Sequence, residues 1–214
     1  MRTILSKLFL IFILPISVFS QENDFQTWTS ILASKKILKK TNLTIKQGAR
    51  FRENSSLSSK LFTDLKIKSK YNKRFSFAIG YRFSNDWNRQ SELSQKNRFY
   101  SDIYYKEKYK KRFLFDTRAR LQTQGDIEGY SATFRHKSAI SYNIPKTKLE
   151  PSVALEYFLP FESMLIEKLR YTIRLSHPIT KDLDAEIAYR IQQEFYTDNT
   201  VTLFIFEGKL SYDF

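Results

Sequence analysis

The sequence predicts an all-β protein, a transmembrane antiparallel up-and-down β-barrel of about 10–12 strands. Three observations predict it. Segments of about 10 to 14 residues alternate polar and apolar side chains, tight basic turns recur at a regular spacing, and no apolar run after residue 20 is long enough for a membrane helix. Alternation with period two is the signature of a strand with two different faces. Strands of this length suit a tilted crossing of a bilayer.

Residues 1–20 differ in composition from the rest of the chain. Arg2 and Lys7 make a basic start, residues 8–18 are an apolar run, and small or branched residues precede position 21. This is the layout of a secretory signal peptide cut before Gln21. We therefore expect a signal peptide over residues 1–20, an outer-membrane barrel over residues 21–214, and, since no cysteine is present, no lipid anchor.

The charge balance narrows the expected partners. The chain has 36 Lys and Arg against 22 Asp and Glu, a net charge of +14, and the loss of Arg2 and Lys7 leaves +12 on the exported chain. No nucleic-acid-binding motif accompanies this charge, so we expect no nucleic-acid partner. Anionic membrane surfaces or small anionic solutes are the expected partners.

The turns set the topology. Tight basic turns fall at residues 37–40, 71–74, 109–112, 145–148 and 179–182, roughly 34 to 38 residues apart. Longer polar connections lie between them. Short turns that alternate with longer loops predict hairpins with all the short turns at one end of the barrel, an end that we place in the periplasm.

The segments between the turns number eleven, beginning with residues 25–34. Residues 75–84 place Phe, Ile and Tyr on one face and Ser, Ala, Gly and Arg on the other, and residues 112–122, 167–176 and 183–194 divide in the same way. A soluble sandwich or a lipocalin-like barrel is the alternative. Every strand offers the same apolar face, however, and lipid supplies the partner that this face needs.

An odd number of strands is unexpected, because single-chain bacterial barrels have an even number with both termini in the periplasm. We therefore expect ten or twelve strands. Either residues 21–28 run through the lumen or one segment is misassigned.

The last segment carries a possible assembly signal. Leu210, Tyr212 and Phe214 share its apolar face, and the chain ends on Phe214. A terminal aromatic after alternating apolar residues resembles the signal by which barrel-assembly machinery recognises its clients. That machinery and outer-membrane lipid are therefore expected partners.

Several short stretches resemble a known family. They are residues 24–28 (DFQTW), 80–83 (GYRF) and 151–158 (PSVALEYF), with the closing Phe214. The sequence resembles a domain-of-unknown-function family assigned to outer-membrane β-barrels, frequent in the Bacteroidota. The resemblance implies a location in the cell outer membrane and a barrel architecture, and it implies no chemistry.

One wall of the lumen is predicted to be basic. Between residues 60 and 137, ten inward positions carry Lys or Arg and three carry Asp. Fixed positive charge inside a pore attracts anions, whereas a small barrel filled by its own side chains conducts little. The sequence leaves both possibilities open. The candidate anion-binding residues are Arg82, Arg98, Arg118, Arg120 and Arg135.

The opposite wall is predicted to hold ion pairs. Inward carboxylates on two strands flank inward arginines on the strand between them, and cross-strand pairs of opposite charge stabilise a sheet. The residues are Glu150, Glu156, Arg170, Arg174, Asp184 and Glu186.

Enzymatic chemistry has little support in the sequence. His136 and Ser138 lie two residues apart on an outward face, an arrangement that resembles outer-membrane lipid A deacylases, but no acidic residue is expected beside them to orient the histidine. We expect His177 to be an interfacial residue, and we expect no metal and no cofactor. The leading hypothesis is a barrel that binds or passes small anions. The alternatives are a structural or interaction barrel that acts through its outer loops and, remotely, an envelope-lipid hydrolase.

Overall fold

The computed structural model describes residues 22–110, 112–195 and 200–214, and the predicted signal peptide lies outside them. The described residues form eleven strands and no helix. The strands are β1 (Glu22–Leu38), β2 (Thr41–Arg52), β3 (Leu57–Lys70), β4 (Phe75–Trp87), β5 (Leu93–Tyr109), β6 (Phe113–Gly125), β7 (Tyr130–Tyr142), β8 (Glu150–Pro160), β9 (Lys168–Pro178), β10 (Leu183–Glu194) and β11 (Val201–Asp213). The predicted all-β barrel is confirmed.

The barrel closes between its first and last strands. Each strand pairs antiparallel with its neighbour in sequence, whereas β1 and β11 pair in parallel, from Glu22 opposite Val201 to Ser34 opposite Asp213. The expectation of ten or twelve strands is therefore wrong, and so is a luminal course for residues 22–28. An odd series of alternating strands begins and ends in the same direction, so it closes only through one parallel pair.

The register of the strands fixes the width of the barrel. Partners followed strand by strand from Lys36 of β1 return to β1 at Glu22, an offset of 36 − 22 = 14 residues. With usual strand spacing and rise, that offset gives a tilt of roughly 41° and a backbone radius of roughly 11 Å. Such a barrel is wider than the eight-stranded kind that side chains just fill.

The two faces of the wall differ as alternation requires. Outward side chains are apolar and exposed, as at Ile79 (64%) and Ile173 (65%), while inward positions hold buried polar and charged groups such as Asp102 and Glu156. The outward positions expected on β4, β6, β9, β10 and β11 face outward in the structure. No helix among the described residues is long and apolar enough to cross a membrane.

Two inward glycines make room for aromatic rings. Gly48 is the register partner of Phe62, and Gly80 is the register partner of Tyr100. A Cβ atom would lie 2.3 Å from the Phe62 ring at the first glycine and 2.2 Å from the Tyr100 ring at the second. Each ring thus lies flat over a neighbouring glycine, which places both rings among the inward arginines.

Candidate functional site in the barrel interior

The interior of the barrel contains a cavity of about 1480 Å³. Its lining extends from Glu92 and Asp126, in connections at one end of the barrel, to Lys66 and Lys209, each four residues from the opposite end of its strand. Among the described residues that line it, seventeen are Lys or Arg and ten are Asp or Glu. The cavity therefore has an excess of seven positive charges, which attract anions.

Glu156 of β8 is the acceptor for arginines from three other strands. Its carboxylate binds Arg118 of β6, Arg135 of β7 at 2.8 Å and Arg170 of β9 at 3.2 Å. Only 4% of Glu156 is exposed. Three guanidiniums around one buried carboxylate tie neighbouring strands together and leave that carboxylate fully neutralised.

A second network links Asp102 and Asp64. Arg120 binds both oxygens of Asp102, at 2.6 and 2.8 Å, and its guanidinium lies 3.7 Å from the centroid of the Tyr100 ring. The Tyr100 hydroxyl donates to Asp64 at 2.7 Å, and Arg82 donates to Asp64 at 2.8 Å. Both carboxylates are thus neutralised by an arginine of the neighbouring strand.

Further inward acids also have basic partners. Glu207 binds Arg190, and Asp86 binds Lys60 at 2.6 Å. Glu186 accepts from Arg174 at 3.4 Å and from Lys209 at 2.7 Å. Most acids of the cavity wall are thus paired with a lysine or an arginine. The remaining charge of the cavity therefore comes from bases that lack such a partner.

Guanidiniums and aromatic rings alternate across the cavity in what we call the arginine–aromatic belt. Neighbours along the belt lie 3.7 to 5.6 Å apart, measured from the guanidinium carbon to the ring centroid, which is within cation–π range. The belt runs through Arg82, Phe62, Arg50, Trp28, Arg170, Phe158 and Arg135.

Six of the seventeen bases that line the cavity form no ion pair with a described residue. Lys66, Lys96 and Lys137 are three of them, and the other three contact the belt or lie in register with Arg82. Arg50 lies 3.7 Å from the Trp28 ring centroid, and Lys46 lies 5.7 Å from the Phe62 ring centroid. Arg98 donates to the neutral side-chain oxygen of Gln124 at 2.7 Å. We call Lys46, Arg50 and Arg98 the open cation group.

The open cation group occupies one side of the lumen. Lys46, Asp64, Arg82 and Arg98 are successive register partners on β2 to β5, and Asp64 is the single acid in this row. Because Asp64 is engaged by Arg82, the row keeps two net positive charges that face the cavity. An anion held there can also contact Arg50, which lies against the same Phe62 ring as Lys46.

The five arginines that the sequence proposed for anion binding all line the cavity. Four of them are held by carboxylates, whereas Arg98 bonds the neutral Gln124 and forms no ion pair with a described residue. Sequence reasoning missed Trp28, Lys46, Arg50 and Phe62. The same alternation would have placed these side chains inward, had it been followed through β1, β2 and β3.

The structure also brings together part of the set proposed for ion pairs. Glu156 contacts Arg170, and Glu186 contacts Arg174. The side chains of Glu150 and Asp184 form no ion pair with a described residue, and both lie near the tight-turn end of their strands. That end is open to solvent, so an unpaired carboxylate there remains hydrated.

The histidines lie on the outer wall. His136 Nε2 is 2.8 Å from the Thr117 hydroxyl, and its ring lies 5.4 Å from that of Tyr157. Ser138 has Thr117 and Leu155 as register partners. His177 is exposed opposite Ala185. No described carboxylate adjoins His136, and the described residues contain no cluster of His, Cys, Asp and Glu that could hold a metal.

The residues of the possible assembly signal lie on the outer face of β11. Leu210 and Tyr212 are exposed, and the Tyr212 and Phe214 rings meet edge to face at 4.7 Å. The backbone N–H of Phe214 donates to the Ser34 carbonyl at 2.8 Å. The last residue therefore extends the pairing between β11 and β1.

Two comparisons with known proteins bear on the identity of the chain. No curated protein matches it. One family model matches residues 25–202, described as a protein of unknown function (DUF2490). This match covers most of the eleven-stranded barrel, and the chain belongs to that family of proteins of unknown function.

Proposed function

We propose that this protein is an exported outer-membrane β-barrel whose interior binds, and passes, small anionic solutes at the open cation group. The observation that carries the proposal is a wide cavity with excess positive charge, in which Lys46, Arg50 and Arg98 face the lumen and no described carboxylate pairs with them. Fixed cations in a confined space concentrate anions and exclude cations.

The outer wall supports the location. Large apolar side chains are exposed on every strand, and such a surface needs a partner phase. Aromatic pairs lie near the tight-turn ends, with Phe75 against Tyr105 and Phe113 against Tyr142. Aromatic residues at that depth are typical of a membrane interface.

Solutes with one or two carboxylate or phosphate groups fit the site best. The two guanidiniums can bind such groups through paired N–H donors, and the Trp28 and Phe62 rings offer apolar surface beside them. Arg50 reaches the centre of the belt, since its neighbour Trp28 also contacts Arg170 from the far wall.

Tryptophan fluorescence tests this proposal. The chain has two tryptophans, Trp28 and Trp87, so a Trp87→Phe background leaves Trp28 as the sole reporter beside Arg50. We expect titration with succinate or inorganic phosphate to change the Trp28 emission in a saturable way. Arg50→Gln should weaken the response at least tenfold, and Lys181→Gln, outside the cavity, should leave it intact.

A flat titration with both probes would overturn anion binding at this site. Selective response to cations would do the same. An interaction barrel that acts through its outer loops predicts a flat titration in a protein that still folds and inserts, so the experiment separates these two functions.

A further inference from the structure

The connections at the two ends of the barrel carry opposite charge. Among the described residues of the tight turns there are nine bases and one acid, Asp182. The longer loops expected at the opposite end are only four to seven residues long where the structure describes them in full, and the described residues of the connections at that end include six acids and one base, Arg89. We call the nine bases the basic rim. They are Lys39, Lys40, Lys73, Arg74, Lys110, Arg112, Lys146, Lys148 and Lys181.

The basic rim is exposed and little of it is neutralised by the protein. Arg74 pairs with Glu107, and Lys181 approaches Asp182 at 3.9 Å. The other seven bases form no ion pair with a described residue. Like charges gathered at one end repel one another, so they favour an external layer of negative charge.

The position of the rim matches the plane of lipid phosphates. Three of the five turns that carry it adjoin aromatic residues. Phe113 and Tyr142, for example, pack together beside Arg112, which donates to the Tyr142 hydroxyl at 3.3 Å. Aromatic girdles mark the boundary between hydrocarbon and headgroups. A basic side chain just beyond that boundary reaches the phosphates.

The distribution of the charges favours a lipid leaflet over a protein partner. Each of the five tight turns contributes at least one base, so the charges surround the whole circumference. A single protein would cover one sector of this ring, whereas a leaflet meets all of it. We propose that the basic rim binds the phosphates of anionic glycerophospholipids in the leaflet at the tight-turn end, an inference that rests on the proposed membrane location.

The acidic loops give this contact a direction. Glu53, Glu92, Glu128 and Glu162 lie at the opposite end of the barrel, where an anionic surface would be repelled. The charge difference between the two ends therefore favours one orientation in a bilayer whose leaflets differ in charge.

The test compares melting of the reconstituted full-length barrel in two kinds of vesicle. One contains phosphatidylcholine alone, and the other contains phosphatidylcholine with phosphatidylglycerol. We expect the melting temperature to be higher in the vesicles that contain phosphatidylglycerol. The rim variant (Lys39→Gln, Lys40→Gln, Lys146→Gln, Lys148→Gln) should reduce this difference by about half, since it removes four of the nine rim charges. The matched control (Glu53→Gln, Glu92→Gln, Glu128→Gln, Glu162→Gln) should keep the full difference.

Three results would overturn the inference. The first is an equal melting temperature in both vesicles, and the second is a melting-temperature difference that the rim variant does not reduce. The third is a melting temperature in phosphatidylcholine alone that inorganic phosphate raises as much as phosphatidylglycerol does. The last result would identify a free-anion effect in place of a headgroup contact. Heat-modifiable gel mobility checks insertion separately, because a chain that does not insert in either vesicle contradicts the proposed membrane location itself.

Discussion

The guanidinium of Arg50 stacks 3.7 Å from the ring centroid of Trp28 and forms no ion pair with a described carboxylate. Arg82 contacts the same belt through Phe62, yet Asp64 neutralises it at 2.8 Å. Two inward arginines in similar surroundings thus have different roles, one structural and one in binding. Arg82 holds the wall together, and Arg50 is available to a solute.

This difference predicts opposite effects of one substitution. Arg50→Gln should lower the free energy of unfolding by only about 1 kcal/mol, because it removes cation–π contacts with Trp28 and Phe62 but no ion pair with a described residue, while it weakens anion binding. Arg82→Gln should destabilise the barrel by about 2 kcal/mol, because it leaves the buried Asp64 with one partner fewer. Urea unfolding in detergent measures both. Equal losses of stability in the two variants would contradict the assignment.

Glu156 should be the most sensitive carboxylate of the interior. Glu156→Gln leaves Arg118, Arg135 and Arg170 without their shared anion, so we expect a loss of about 3 kcal/mol in the free energy of unfolding. Glu150→Gln, on the same strand and face, serves as the control and should be nearly neutral. Urea unfolding decides, and an equally mild effect at both positions would contradict the central role of Glu156.

The rings that cover the inward glycines predict a steric effect. A Cβ atom at Gly80 would lie 2.2 Å from Tyr100, whereas a Cβ at Gly208 meets no heavy atom within 4 Å. Gly80→Ala should therefore cost about 1–3 kcal/mol by displacing Tyr100 from Asp64. Gly208→Ala should leave the free energy of unfolding nearly unchanged, because its new Cβ meets no neighbouring atom. Thermal unfolding of the two variants, compared with the parent, measures the difference.

The parallel seam between β1 and β11 can be tested by a cross-link. The chain contains no cysteine, so Thr29→Cys with Gly208→Cys introduces a single possible bond. The two positions are register partners, and neighbouring strands lie within disulfide range. Oxidation of the folded protein should close the chain into a ring that migrates differently on a denaturing gel.

The control for this cross-link pairs Thr29→Cys with Phe204→Cys. Phe204 lies four residues from Gly208 along β11, roughly 13 Å away, which is too far for a disulfide. A bond in the control and none in the test pair would contradict the observed register.

The strands and their faces could be predicted because alternation is a local signal. Phe75 and Arg82 are separated onto opposite faces by residue parity alone. The closure could not be predicted in this way. Glu22 and Val201 are far apart in sequence, and the direction in which their strands meet depends on the total number of strands.

The partners of the inward arginines depend on distances across the lumen. Arg118 on β6 reaches Glu156 on β8, past an intervening strand, and Arg170 on β9 reaches Trp28 on β1. Parity states only that these side chains face inward. Which arginines are neutralised follows from the width and tilt of the closed barrel. Reasoning from parity alone therefore selected Arg118 and Arg120 as solute contacts and missed Arg50.

The most direct measurement of the central claim is the reversal potential of the purified protein in a planar bilayer under a salt gradient. We predict an anion-selective current, with a selectivity that falls in an Arg50→Gln, Arg98→Gln double variant and persists in Lys181→Gln. An absence of current, a preference for cations, or a selectivity unchanged in the double variant would contradict an anion passage at the open cation group.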